Sequence, residues 1–216
     1  MFTLRTIINR FNLSMGKFLY DFKVFGQENL PKEGPFIISL HHTSPLDLFP
    51  PSFVQYHRPD LHILVLDAGT EHPLTEWYSR KFNSLPIHKS PSKLNKDTLS
   101  KALNVLKQGK PLMLAAEGEM SWDGRPQPYK TGAAWLILRA QVPFVPAALR
   151  GAYLIWPRWQ TLPKFRGKLR FAIGKPVSIF DSPPKKINNS LLTEVNQRMK
   201  EEISRTIEYL KSKESE

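Results

Sequence analysis

The residues best suited to chemistry in this sequence are consecutive: His41-His42-Thr43-Ser44-Pro45-Leu46-Asp47. A carboxylate within reach of an imidazole accepts its Nδ1 proton, fixes the tautomer and stabilises the imidazolium. Nε2 is then left to take a proton from a hydroxyl, which is general-base chemistry. The spacing suits such a pair. Ser44 has the character of a helix N-cap, Pro45 of the first helical position and Asp47 of the acid that closes a capping box. A chain that turns there returns Asp47 toward His42. The same residues also fit a purely structural reading, a capping box beside a polar loop histidine. Metal binding by His41, His42 and Asp47 is disfavoured, because neighbouring side chains diverge and no third strong ligand is evident; no metal is expected.

The segment follows the apolar run at 36–40, and the loop after a strand is where open α/β sheets place their chemistry. Similar strand-like runs occur at 22–26, 62–66, 84–90, 111–116, 142–149 and 169–180. Helical patterns occupy 1–20, 73–82, 132–140 and 191–211. A further amphipathic helix is predicted with Asp97 as its N-cap, Leu99, Ala102, Leu103 and Leu106 on one face, and Gly109 at its end. Strands alternating with helices predict an α/β sheet with helices on its faces. The 216 residues suit one domain with a short appendage, and 41% hydrophobic with 23% charged residues is an ordinary globular balance. Cysteine is absent, which excludes disulfides, thiolate metal sites and a cysteine nucleophile. No glycine-rich phosphate-binding run points to a nucleotide cofactor.

The formal net charge is +12, and because residues 194–216 carry slightly more acid than base, the positive charge belongs to the rest of the chain. Such a body suits an anionic partner: nucleic acid, an anionic bilayer or a phosphorylated substrate. In residues 1–20, Phe2, Leu4, Ile7, Ile8, Phe11, Met15, Phe18 and Leu19 recur at steps of three and four, with Arg5, Asn9 and Asn12 largely on the other side and no acid before Asp21. An aromatic-rich apolar stripe with basic flanks is the composition of a helix lying in a lipid headgroup layer; a terminal helix packed on its own domain has the same periodicity. The division expected is therefore a membrane-surface helix at 1–20 and a catalytic domain at 21–216. No run approaches the ~18 apolar residues of a membrane-spanning helix, and no cleavable signal is visible. The expectation is a peripheral protein on the cytoplasmic face of a membrane, with no nucleic-acid partner because no nucleic-acid motif accompanies the charge.

From His41 onward the sequence resembles the glycerolipid acyltransferases of the lysophosphatidic acid acyltransferase type. His42 and Asp47 match the family's His-x-x-x-x-Asp block, with His41 where the family has Asn. Asn83-Ser84-Leu85-Pro86-Ile87-His88-Lys89 is similar to its Gly-x-φ-Pro-φ-Asp-Arg block (φ is apolar), with Lys89 in the position of the arginine that helps hold the acceptor's phosphate. Ala115-Ala116-Glu117-Gly118-Glu119-Met120-Ser121 resembles Pro-Glu-Gly-Thr-Arg-Ser, matching at Glu117, Gly118 and Ser121, while Glu119 and Met120 replace the threonine and the arginine. Val142-Pro143-Phe144-Val145-Pro146 matches its Val-Pro-φ-φ-Pro stretch, and Tyr129-Lys130-Thr131-Gly132-Ala133 its Phe-Lys-x-Gly-Ala segment. The blocks keep the family's order over roughly residues 20–180.

The resemblance implies a single-domain α/β fold with a mixed sheet flanked by helices. It also implies O-acyl transfer in phospholipid biosynthesis from acyl-CoA or acyl-carrier protein to the free hydroxyl of a lysophospholipid such as 1-acylglycerol 3-phosphate. His42 and Asp47 would form the general-base dyad, and Lys89, Glu117, Gly118, Ser121 and Lys130 would bind substrate, with no cofactor. The partners implied are a membrane lipid acceptor, the acyl donor and an anionic membrane surface. A different lyso-lipid or a glycolipid acceptor, and a non-catalytic membrane-binding protein on the same fold, stay open at this level.

Overall fold

The computed structural model describes residues 3–67, 81–88, 93–180 and 184–214. Strands β1 (Lys23–Phe25), β2 (Ile37–Ser39), β3 (His62–Asp67), β4 (Ser84–His88), β5 (Leu112–Leu114), β6 (Phe144–Arg150) and β7 (Arg170–Ile173) form one sheet in the order β1-β7-β6-β2-β5-β3-β4. Strands β2 to β6 run parallel, and the β6–β7 pairing is antiparallel, so β1 and β7 run the other way. The sheet is thus mixed, as expected.

Among the described residues, helices α1 (Leu4–Tyr20), α2 (Phe49–His57), α3 (Lys93–Lys107), α4 (Thr131–Ala140), α5 (Ala152–Ile155) and α6 (Asn189–Glu214) join these strands. Helices α1 and α2 cover one face of the sheet; α3, α4 and α6 cover the other. Both faces are buried, so the central strands are apolar throughout rather than alternating. In β2, Ile38 joins the cluster under α1 and α2 with Phe49 and Phe171, while its neighbour Ile37 joins the cluster under the other three helices with Leu112, Leu136 and Phe144. All these side chains are essentially inaccessible.

Two sequence expectations change. Helix α3 starts at Lys93, so Asp97 lies inside it rather than capping it; an N-cap-like residue does not end a helix whose preceding residues also favour helix. In α1 the polar residues expected opposite the apolar stripe face the protein. Asn9 is buried and donates to Gln55 Oε1 at 3.5 Å, and Asn12 donates to Ser52 Oγ at 3.1 Å, both on α2. Leu13, Met15 and Leu19 pack beside them on the core. Leu4, Ile7, Phe11 and Phe18 stay in solvent, Phe18 at 86% exposure. The helix therefore packs and also presents an apolar stripe outward. No helix among the described residues is long and apolar enough to cross a membrane. Most of the predicted helical segment 73–82 lies outside the described residues.

Candidate active site

Strands β2 and β5 lie side by side at the centre of the sheet, with Ser39 opposite Leu114. The loops leaving their C-terminal ends therefore meet, and they carry the first and third sequence blocks. After β2, Ser44 caps a short 3-10 helix (Pro45–Leu48) with Pro45 at its start, and the capping box with Asp47 is complete. Asp47 does more than cap. Its Oδ2 accepts from His42 Nδ1 at 2.7 Å, from the Thr43 N–H at 2.8 Å and from the Ser44 N–H at 3.1 Å. Since the carboxylate only accepts, Nδ1 carries the proton and Nε2 presents a lone pair. One carboxylate thus makes both the capping box and the hydrogen bond to His42.

Glu117, after β5, is buried and turned away from solvent. Oε1 accepts from His41 Nδ1 at 2.7 Å and from the Gln127 N–H at 3.1 Å, while Oε2 accepts from the His42 N–H at 3.2 Å. Glu117 thus clamps the backbone that carries His42. Ser121 is also buried. Its N–H donates to His42 O at 2.8 Å, and its hydroxyl lies within hydrogen-bond distance of Arg125 O and Asp123 Oδ1. Both side chains, expected to bind substrate, make these contacts within the loop.

Gly118 lines the cavity beside His42, at φ 72°, and a Cβ there would stand 2.7 Å from the Lys130 side chain. Only glycine takes this turn with the Lys130 methylenes lying over it. The Lys130 ammonium, exposed, pairs with Glu119 Oε1 at 3.2 Å. Lys89 lies outside the described residues. Tyr129, whose ring lies near that of His41, has its phenol pushed well above the ordinary value by burial, with the charge of Glu117 adding to the effect; it stays neutral at any working pH.

These loops bound a cavity of about 500 Å³ with His42 and Asp47 in its wall. The remaining wall is largely apolar, from Leu40, Ile63, Phe82, Ile87 and Met113, and among the described lining residues Arg158 alone is an arginine or lysine. Arg158 was not legible as a site residue. It lies in the segment after α5 and reaches back across the third block, donating to Met120 O at 2.8 Å and stacking 3.9 Å over the Trp122 ring. No local pattern marks it, because its partners are 36 and 38 residues away. Every N–H from His42 to Asp47 is already donated within the site, to Glu117, Asp47 or Ser44, and that of Gly118 goes to Ala115 O. An oxyanion donor from these positions does not fit this arrangement. No group of three or more His, Asp or Glu among the described residues is placed to hold a metal ion.

Several relatives carry the 1-acyl-sn-glycerol-3-phosphate acyltransferase name. The chloroplastic protein of Brassica napus is 26% identical over 164 residues, covering 73% of this chain and 45% of its own length. That of Saccharomyces cerevisiae is 29% identical over 162 residues, covering 73% and 52%. That of Bacillus subtilis is 25% identical over 182 residues, covering 83% and 86%. The chain thus spans about half the length of the first two. The crystal structure of the 1-acyl-sn-glycerophosphate acyltransferase from Thermotoga maritima superposes with a TM-score of 0.75 at 23% identity, covering 96% of this chain and 80% of that one, and so shares the fold. The acyltransferase family model matches residues 21–150, more than half of the sequence and the stretch holding the His42–Asp47 pair and its Glu117 clamp: the chain belongs to the acyltransferase family.

Proposed function

We propose that this protein transfers a fatty acyl group from an acyl thioester, acyl-CoA or acyl-carrier protein, to the free hydroxyl of 1-acylglycerol 3-phosphate. The observation that carries the reading is the His42–Asp47 pair set in the wall of an apolar cavity that also holds a guanidinium. The hydroxyl oxygen attacks the thioester carbonyl as Nε2 of His42 takes its proton. The tetrahedral intermediate then expels the thiolate, which receives that proton from the imidazolium, and Asp47 stabilises the charged ring throughout. No acyl-enzyme enters the proposal, because among the described residues no hydroxyl hydrogen-bonds to the His42 ring. The apolar wall takes acyl chain, and Arg158 faces the acceptor phosphate. Arginine suits this better than lysine, because its fork binds phosphate oxygens in pairs. No metal or prosthetic group enters the proposal.

The membrane part rests on α1, whose outward stripe of Leu4, Ile7, Phe11 and Phe18 lies on a surface away from the core. On this reading the helix docks at the cytoplasmic face of a bilayer, where lipid acceptor and thioester donor meet. A second reading, an acceptor with a zwitterionic or sugar headgroup, is favoured by one observation: the carboxylate-bearing Glu119 lines the same cavity as Arg158. Thiol release from acyl-CoA with a panel of lyso-lipids, comparing the native chain with His42→Ala, tests both. Acceptor-dependent release that drops by the ~10²–10⁴-fold of a lost general base supports the mechanism, and the preferred acceptor decides between readings. Near-native turnover by His42→Ala overturns it.

A further inference from the structure

The segment from α5 to β7 carries large apolar side chains that the core does not use. Leu154 is 71% exposed, Trp159 63%, Leu162 71% and Phe165 76%, with Trp122 alongside at 64%. Isolated exposed apolar residues are ordinary, but several within a dozen residues form a patch that marks an interaction surface. Its charge selects the partner. Residues 151–168 contain Arg158, Lys164, Arg166 and Lys168 and no acid, and no Asp or Glu occurs between Asp123 and Asp181. Lys164, Arg166 and Lys168 are all exposed.

The patch is fixed in place relative to the cavity. Arg158 belongs to both, stacking on Trp122 while lining the cavity wall, and the Tyr153 hydroxyl donates to Trp122 O at 3.1 Å. It also adjoins the end of α1, where the Leu169 N–H donates to Tyr20 O at 2.8 Å and the Lys23 N–H to Leu169 O at 3.1 Å.

We propose that residues 154–168 with Trp122 form a second lipid-docking surface, which seats the rim of the cavity on an anionic bilayer. Leu154, Trp159, Leu162 and Phe165 enter the boundary between headgroups and acyl chains, and Lys164, Arg166 and Lys168 meet lipid phosphates. The surface gives a lyso-lipid a path from the bilayer past Arg158 to His42 without crossing water. This rests on the proposed lipid substrate for its purpose, but its test needs no turnover.

The test is cosedimentation with vesicles of phosphatidylcholine with and without phosphatidylglycerol. Trp159→Ser/Leu162→Ser/Phe165→Ser changes only exposed side chains and is expected to lower partitioning at least ~10-fold with an unchanged melting temperature. Each Lys or Arg at an anionic surface is worth roughly fivefold, so the charge-neutralising Lys164→Gln/Arg166→Gln is expected to lower partitioning by roughly 25-fold on the anionic vesicles alone. A cysteine introduced at Phe165, unique in this chain, carries an environment-sensitive dye that shifts to the blue on anionic vesicles. Unchanged partitioning of both variants, or a dye that stays in water, overturns the proposal. So does a self-association of the native chain that these variants abolish while vesicle binding persists. An absence of acyl transfer with intact vesicle effects would count against the proposed reaction only.

Discussion

Asp47→Asn separates the charge of the dyad from its shape. Oδ2 of Asp47 accepts all three hydrogen bonds, whereas Oδ1 is buried without a partner. An asparagine keeps the three bonds on its carbonyl oxygen and puts its NH2 where Oδ1 lies. The loop stays folded, at the cost of an unsatisfied buried amide, about 1–3 kcal/mol, or roughly 2–12 °C in melting temperature at this size. What is lost is the negative charge facing the imidazolium. Two unit charges ~4 Å apart at an effective dielectric near 20 attract by about 4 kcal/mol. The His42 side chain is 33% exposed and that of Asp47 9%, so solvent screening reduces this to about 2–3 kcal/mol. At 1.36 kcal/mol per decade, kcat falls by about 30- to 160-fold. The assay is the initial rate of thiol release from acyl-CoA with a thiol-reactive dye, to which a chain without cysteine adds no background. Turnover within about threefold of the native chain, with the loop intact, refutes a charge role for Asp47.

Glu117→Gln must place a donor against a donor. Either its NH2 faces the His42 N–H or it faces the Gln127 N–H, so a melting-temperature loss worth about 1–3 kcal/mol is expected, with kcat reduced and the KM for donor little changed. Equal loss in both constants shows that Glu117 touches substrate instead. Gly151→Ala should destabilise by at least about 3 kcal/mol in urea unfolding, because φ is 89° and a Cβ would stand 1.9 Å from Lys168 O. Asp21 has its pKa held below the ordinary 3.8, chiefly by the hydrogen bond from Arg170. A carboxylate lowered in the folded state stabilises above its unfolded value and loses that contribution as pH falls through the folded one. Asp21→Asn should therefore destabilise at pH 7 and converge with the native chain toward strongly acid pH, as denaturant titrations at several pH values can follow.

How far the sequence revealed the site depends on how local each partnership is. His42 and Asp47 are five residues apart, and the Ser-Pro-x-Asp spacing already encodes the turn that joins them. Glu117 and Ser121 were legible as important but assigned to substrate. Their role as a clamp depends on β5 lying beside β2, a pairing 75 residues apart that no periodicity announces. Arg158 was missed for the same reason. In α1 the stripe was legible, yet the inward asparagines were not, because their burial relies on Ser52 and Gln55 of α2. The central strands were clear, since both faces of the sheet are apolar there, but the strand expected over 169–180 shortened to Arg170–Ile173, and the reversal of β1 and β7 was not legible, since parallel and antiparallel neighbours share composition.

The layout of the sheet bears on inheritance. His42, Asp47 and the buried Glu117 issue from β2 and β5 at the centre, while the outer cavity walls come from β3 and β4 at one edge and from the segment leading to β7. On the proposed function, substitution at Ile63, Val65, Ile87 or the Arg158 segment can therefore change which molecule is acylated while the His42–Asp47 pair stays intact.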